Sequence, residues 1–212
     1  MKSKYFSEFL GTALLFCTVV GSGIMGQNLG SNDSVTLLAN TLATVFALYF
    51  LITIFGEHST HFNPVVSLVM LVRKEISTQV CTVFIILQIT GAICGVMLAN
   101  YIFELDPVLF SEKARSGTFL FVSEVLATFG LLMVILLSAK EKVAITVAAY
   151  IGAAYWFTSS TSFANPAGTI GRSFSNTFAG ISPHDILHFC MAQIIGAFLA
   201  LFIFKIFFEK QK

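Results

Sequence analysis

Apolar residues in this chain fall into six long runs, roughly 6–26, 35–55, 80–103, 117–139, 143–161 and 186–208. A helix needs about 20 mostly apolar residues to cross the hydrocarbon core of a bilayer, and each run is of that order. Two shorter pieces, 64–72 and 166–178, open with Asn-Pro and cannot cross alone. Backbone that stops at membrane depth is tolerated only where protein or pore water satisfies its polar groups, so these read as re-entrant half-helices. Proline at a first helical position gives up an N–H that would be unpaired anyway. The Asn before it carries an amide able to donate sideways. The pattern predicts an all-α membrane protein with six transmembrane helices and two half-helices.

The pattern repeats. Ser7-Glu8-Phe9-Leu10-Gly11-Thr12 opens the first run and Ser123-Glu124-Val125-Leu126-Ala127-Thr128 opens the fourth. Two further runs follow each, with an Asn-Pro piece between them. Three spans separate the copies, so the halves, about 1–103 and 117–212, have opposite topology, as in inverted-repeat membrane proteins. Residues 104–116 read as a loop joining halves of a single domain, 1–212. With both termini cytoplasmic, Lys2, Lys4, Arg73, Lys74, Lys140, Lys142, Lys205, Lys210 and Lys212 lie inside, against only Lys113, Arg115 and Arg172 outside. That asymmetry fixes the expected orientation.

Composition narrows the class. The chain is 56% hydrophobic and 11% charged, with 23 Phe and mean hydropathy +0.86. Globular domains carry about 25% charged residues, so there is too little polar surface to cover this chain in water. A net charge of +1 without a basic run speaks against nucleic acid. Cys17, Cys81, Cys94 and Cys190 sit in apolar segments outside any CxxC or Cys/His cluster. They read as buried hydrophobes, not disulfides or metal ligands. A basic start before an apolar run imitates a secretory signal, but Glu8 interrupts it and further spans follow. No nucleophile–base pair, phosphate loop or cofactor motif accompanies these features, so neither an enzyme nor a cofactor is expected.

His61-Phe62-Asn63-Pro64-Val65 and Phe163-Ala164-Asn165-Pro166-Ala167, matched across the repeat, resemble the paired Asn-Pro-Ala motifs of the major intrinsic protein family, the aquaporins and their solute-conducting relatives. The resemblance covers nearly the whole chain and implies a passive channel for water and small uncharged solutes, assembled as a homotetramer with one pore per subunit. The Asn63 and Asn165 amides would donate to a passing oxygen. Half-helix N-termini supply a positive field that, with desolvation, rejects cations. By the same resemblance, Glu8 and Glu124 each pack beneath a re-entrant loop and accept from its backbone. Val65 departs from the usual Ala.

Many water-selective relatives carry an Arg three residues after the second Asn, where this chain has Gly168. Arg172 lies one turn beyond. Residues four apart share a helix face and side chains lean toward the helix N-terminus, so Arg172 reaches back over the gap or else serves as a vestibule or ion-pair arginine. The second-span filter residue falls at Thr44 if the preceding loop is one residue short, at Ala43 otherwise. The third is Ser162, and the fifth-span residue lies near 153–156. A ring of Thr44, Ser162 and Gly168 predicts a wide, Arg-poor filter that passes glycerol-sized polyols or neutral metalloid hydroxides such as arsenous acid.

The stretch 152–163 with Ile170-Gly171-Arg172 resembles a bacterial branch with members linked to arsenic resistance, which implies an inner bacterial membrane. The rivals are a strict water channel with Arg172 as displaced filter residue, an ion-coupled secondary transporter, and a closed-pore junction protein. Gly91 with Gly95, and Gly196 with Ala200, permit close helix approach, within the subunit or between subunits.

Overall fold

The computed structural model describes residues 2–209. Its long helices are α1 (Lys2–Asn28), α2 (Asp33–Phe55), α4 (Thr78–Ile102), α5 (Thr118–Leu137), α6 (Val143–Phe157) and α8 (Ile186–Phe207). Between them lie the short helices α3 (Pro64–Val72) and α7 (Pro166–Arg172). Short 3-10 turns, Lys140–Lys142 and Pro183–Asp185, lead into α6 and α8. No strand occurs among the described residues. Caps set the starts: the Asn32 side chain accepts from Val35 N at 3.0 Å, and Ser77 Oγ from Val80 N at 3.3 Å. Each replaces a helical partner that the first turn lacks.

Two elements are shorter than their apolar runs. The run 143–161 is helical for 15 residues only, ending at Phe157. Thr161 and Ser162 then take left-handed φ of 61° and 49°, turning the chain inward. The second half-helix stops at Arg172, since Ser173–Gly180 fold into turns that pair with the inter-half linker. Leu109 N donates to Phe174 O and Ser111 N to Ser173 O, at 3.1 and 2.9 Å. That linker therefore lies across one mouth of the bundle.

Small residues allow the tightest packing. A Cβ on Gly91 or Gly95 would run into the Phe9 or Ala13 carbonyl of α1, and one on Gly196 into the Val125 carbonyl of α5. The small-residue positions thus close α4 on α1 and α8 on α5 inside this chain. The outer surface stays apolar, with Phe46, Phe119 and Phe202 exposed, as expected of a lipid-facing wall. Basic residues separate by end. Lys4 and Lys140 share one opening with Glu75, where Arg73 also pairs with Glu75 and Glu209 at 2.7 and 3.5 Å. Lys113, Arg115 and Arg172 gather at the other. Lys210 and Lys212, assigned above to the inner end, lie outside the described residues.

Candidate pore and its filter

Each re-entrant loop hangs from a buried glutamate. Glu8 Oε1 accepts from His61 N (2.8 Å) and Ser59 Oγ (2.5 Å), and Oε2 from Phe62 N (2.8 Å) and Gln88 Nε2 (2.7 Å). In the second half, Glu124 Oε1 accepts from Phe163 N (2.9 Å), and Oε2 from Ala164 N (2.9 Å) and Gln193 Nε2 (2.7 Å). Gln88 and Gln193 continue to the hydroxyls of Ser67 on α3 and Thr169 on α7, both at 2.9 Å. Burying a carboxylate costs several kcal/mol unless hydrogen bonds surround it, and here they do.

The glutamates hold a strained backbone. Phe62 and Ala164 take left-handed φ of 48° and 47°, which costs about 1–3 kcal/mol for a non-glycine residue. The turn aims each carbonyl at the opposite loop. Asn63 Nδ2 donates to Ala164 O at 2.7 Å and Asn165 Nδ2 to Phe62 O at 2.8 Å. Each amide thus uses one N–H to lock the two half-helices together and keeps the other for the lumen. The oxygens face inward: Asn63 Oδ1 accepts from Val65 N (3.1 Å), and Asn165 Oδ1 from Ala167 N (3.0 Å) and Gly168 N (3.3 Å).

A cavity of about 150 Å³ runs past both amides. Its wall is mostly aliphatic, from Leu15, Val19, Leu48, Ile52, Leu131, Ile135, Val147 and Ile151. A polar line crosses it, from Thr60 and His61 through Asn63 and Asn165 to Ser162, Thr44, Tyr155 and Arg172. Thr44 Oγ1 donates to Asn40 O at 2.8 Å, so the Tyr155 hydroxyl, 3.1 Å away, is the donor to Thr44. Ser162 Oγ is buried and has no protein partner among the described residues. Arg172 is buried, its Nε donates to Ala179 O at 2.5 Å, and among the described residues its terminal nitrogens have no protein acceptor. Its guanidinium lies 3.4 Å from the centroid of Phe163, and that of Arg115 lies 4.8 Å from the same ring. Arg115 is held by the carbonyls of Gly180 (2.8 Å) and Ser160 (3.4 Å).

Of the sequence candidates, Thr44, Ser162 and Arg172 reach the cavity together, and Ala43 does not. Gly168 does not line it either, which corrects the reading of an open gap there. The Phe16 ring of α1 lies against the Gly168 backbone where a side chain at 168 would project, and that ring is on the wall. On α6, Tyr155 joins Val143, Val147 and Ile151 on the wall and is the polar one among them; its distance from the second motif depends on a loop whose conformation no local signal reveals. Phe16 was missed because nothing in a run of apolar residues marks one of them as luminal. Trp156, next to Tyr155, faces outward, and its Nε1 donates to Thr41 Oγ1 at 3.2 Å.

Six long helices, five of them long and apolar enough to cross a bilayer by themselves, two half-helices meeting at crossed asparagine amides and a cavity through the middle define a membrane channel of the aquaporin type, and the family profile described as major intrinsic protein matches residues 1–157. The chain belongs to that family, whose members are channels and not enzymes. It is 46% identical to aquaglyceroporin AqpS of Rhizobium meliloti (strain 1021), over 94% of this chain and 87% of that protein. Glycerol uptake facilitator protein-like 6 of Lactiplantibacillus plantarum is 31% identical over 96% of this chain and 97% of its own length. The fold superposes on the crystal structure of the aquaglyceroporin from Plasmodium falciparum with a TM-score of 0.75 at 18% identity, covering 96% of this chain and 95% of that one.

Proposed function

We propose that this channel conducts glycerol-sized polyols and neutral metalloid hydroxides as well as water, with selection at Thr44, Tyr155, Ser162 and Arg172. The observation that carries this reading is the set of unspent hydrogen-bonding groups along an otherwise mostly apolar wall: the second N–H of each asparagine and the terminal nitrogens of Arg172. A hydroxylated solute exchanges water for these groups one at a time, while its carbon skeleton loses nothing against the aliphatic side. A cation finds N–H groups, two half-helix N-termini and a buried arginine, so its desolvation goes uncompensated.

The whole chain, 1–212, acts as a single channel domain, with both termini at the cytoplasmic face of a bacterial inner membrane and four copies forming a tetramer. The clustering of Lys4, Arg73 and Lys140 at one end supports that orientation. A strict water channel is the second reading, favoured by Arg172 lying on the wall. Stopped-flow permeability of proteoliposomes to water, glycerol and arsenous acid separates the two. Entry of all three supports the wider channel, water alone supports the strict one, and no conduction sinks both.

A further inference from the structure

Resting on the channel reading, we infer that Phe16, on the first span, sets the bore of the outer filter, in the space a side chain at position 168 would otherwise occupy. Gly168 follows Asn165 by three residues on α7, between the asparagine crossing and Arg172. A Cβ built there would fall inside the van der Waals envelope of Cζ and Cε1 of Phe16, so the ring rests on bare backbone. The ring also borders the cavity and is only 5% exposed, so its position is set by packing on both sides. The filter is therefore split. Its cationic donors come from Arg172, one helical turn away, and its steric limit comes from an aromatic ring on another helix. Pore diameter and wall chemistry are separate determinants of selectivity, and here separate elements supply them. Carbon-bearing neutral solutes gain an apolar surface at Phe16 while their hydroxyls meet Arg172.

The two positions should behave as a coupled pair. Full-length protein is reconstituted, and water, glycerol and xylitol permeabilities are measured for Phe16→Ala, Phe16→Leu, Gly168→Ala and Phe16→Ala/Gly168→Ala. Removing the ring should raise xylitol permeability relative to water by about tenfold, the scale of discrimination that a small change in a pocket gives. Phe16→Leu should shift it in the same direction by less. Gly168→Ala pushes the ring into the lumen and should reduce glycerol flux, and the double variant should recover it. Unchanged xylitol-to-water ratios in both Phe16 variants, with wild-type elution on size exclusion, would overturn the inference while leaving the channel reading intact. A wild-type protein that conducts nothing overturns both.

Discussion

On α3 the residues three and seven places after the asparagine, Val66 and Met70, both form part of the cavity wall. On α7 the matching residues are Gly168 and Arg172, and only the arginine reaches the wall. The supports beneath are nearly the same, each a buried glutamate, a glutamine and a hydroxyl, with left-handed backbone before Asn-Pro. The difference lies in what the frame presents. The α3 side gives aliphatic surface. The α7 side gives a cation with free donors and a notch filled from α1. A duplicated scaffold can therefore be kept while the selective chemistry is placed on one half, because the glutamate and glutamine bonds that hold each loop use no side chain at these two positions.

The comparison can be broken most severely at its supports. Glu8→Ala and Glu124→Ala each leave buried N–H groups unpaired at about 1–3 kcal/mol apiece. Glu8→Ala should lower thermal stability in detergent more, since four donors lose their acceptor against three for Glu124→Ala. Equal losses would show that the fourth donor, Ser59 Oγ, adds nothing, and no loss in either variant would show that the loops are held by packing alone. Arg172→Met makes α7 resemble α3. It should raise proton and cation leak by about tenfold, as read by an entrapped pH dye, because the filter then loses the arginine on its wall and keeps only the helix dipoles and the Arg115 charge behind Phe163.

Ser59→Ala tests the one bond that Glu8 makes and Glu124 does not. The expected loss is about 1–2 kcal/mol at the first loop, with glycerol permeability retained. The smallest effect concerns Lys113, in the linker across one mouth of the bundle, whose Nζ donates to Phe178 O at 2.8 Å. Burial, then the charges of Arg115 and Arg172, bring its amine down to about 8. Above that pH the folded chain sheds a proton that the unfolded chain keeps until about 10.5, so stability should rise with pH across that window. Below about 8 this group should contribute no slope. Lys113→Met should remove the slope, as followed by thermal melts at stepped pH.

Much of the pore was readable in one dimension because its signals are local. A proline after asparagine in an apolar run announces a helix start whose backbone must be paired at depth, and Glu8 and Glu124 announce buried acceptors in need of donors. Counting along a loop left Thr44 and Ala43 as alternatives, and of the two only Thr44 lines the cavity. The fifth-span residue could be placed no closer than 153–156, because the segment between α6 and the second motif turns through left-handed residues at Thr161 and Ser162 that carry no glycine to mark them. Gly168 hides its neighbour for a related reason: a missing side chain suggests open space, while the occupant, Phe16, comes from over 150 residues earlier in the chain.

The sequence by itself determined the number of spans, the two half-helices, the opposed halves and the family. Those rest on run length, on proline's missing N–H and on the cost of burying an acid, all properties of neighbours in the chain. Only the tertiary structure decided which of many apolar residues faces the lumen, that the asparagine amides cross to each other's loops, and that Phe16 stands where residue 168 would have been. Helices surrounded by lipid and by one another can be apolar on every face. Periodicity then loses its power to tell inside from outside, and the choice passes to packing between distant segments.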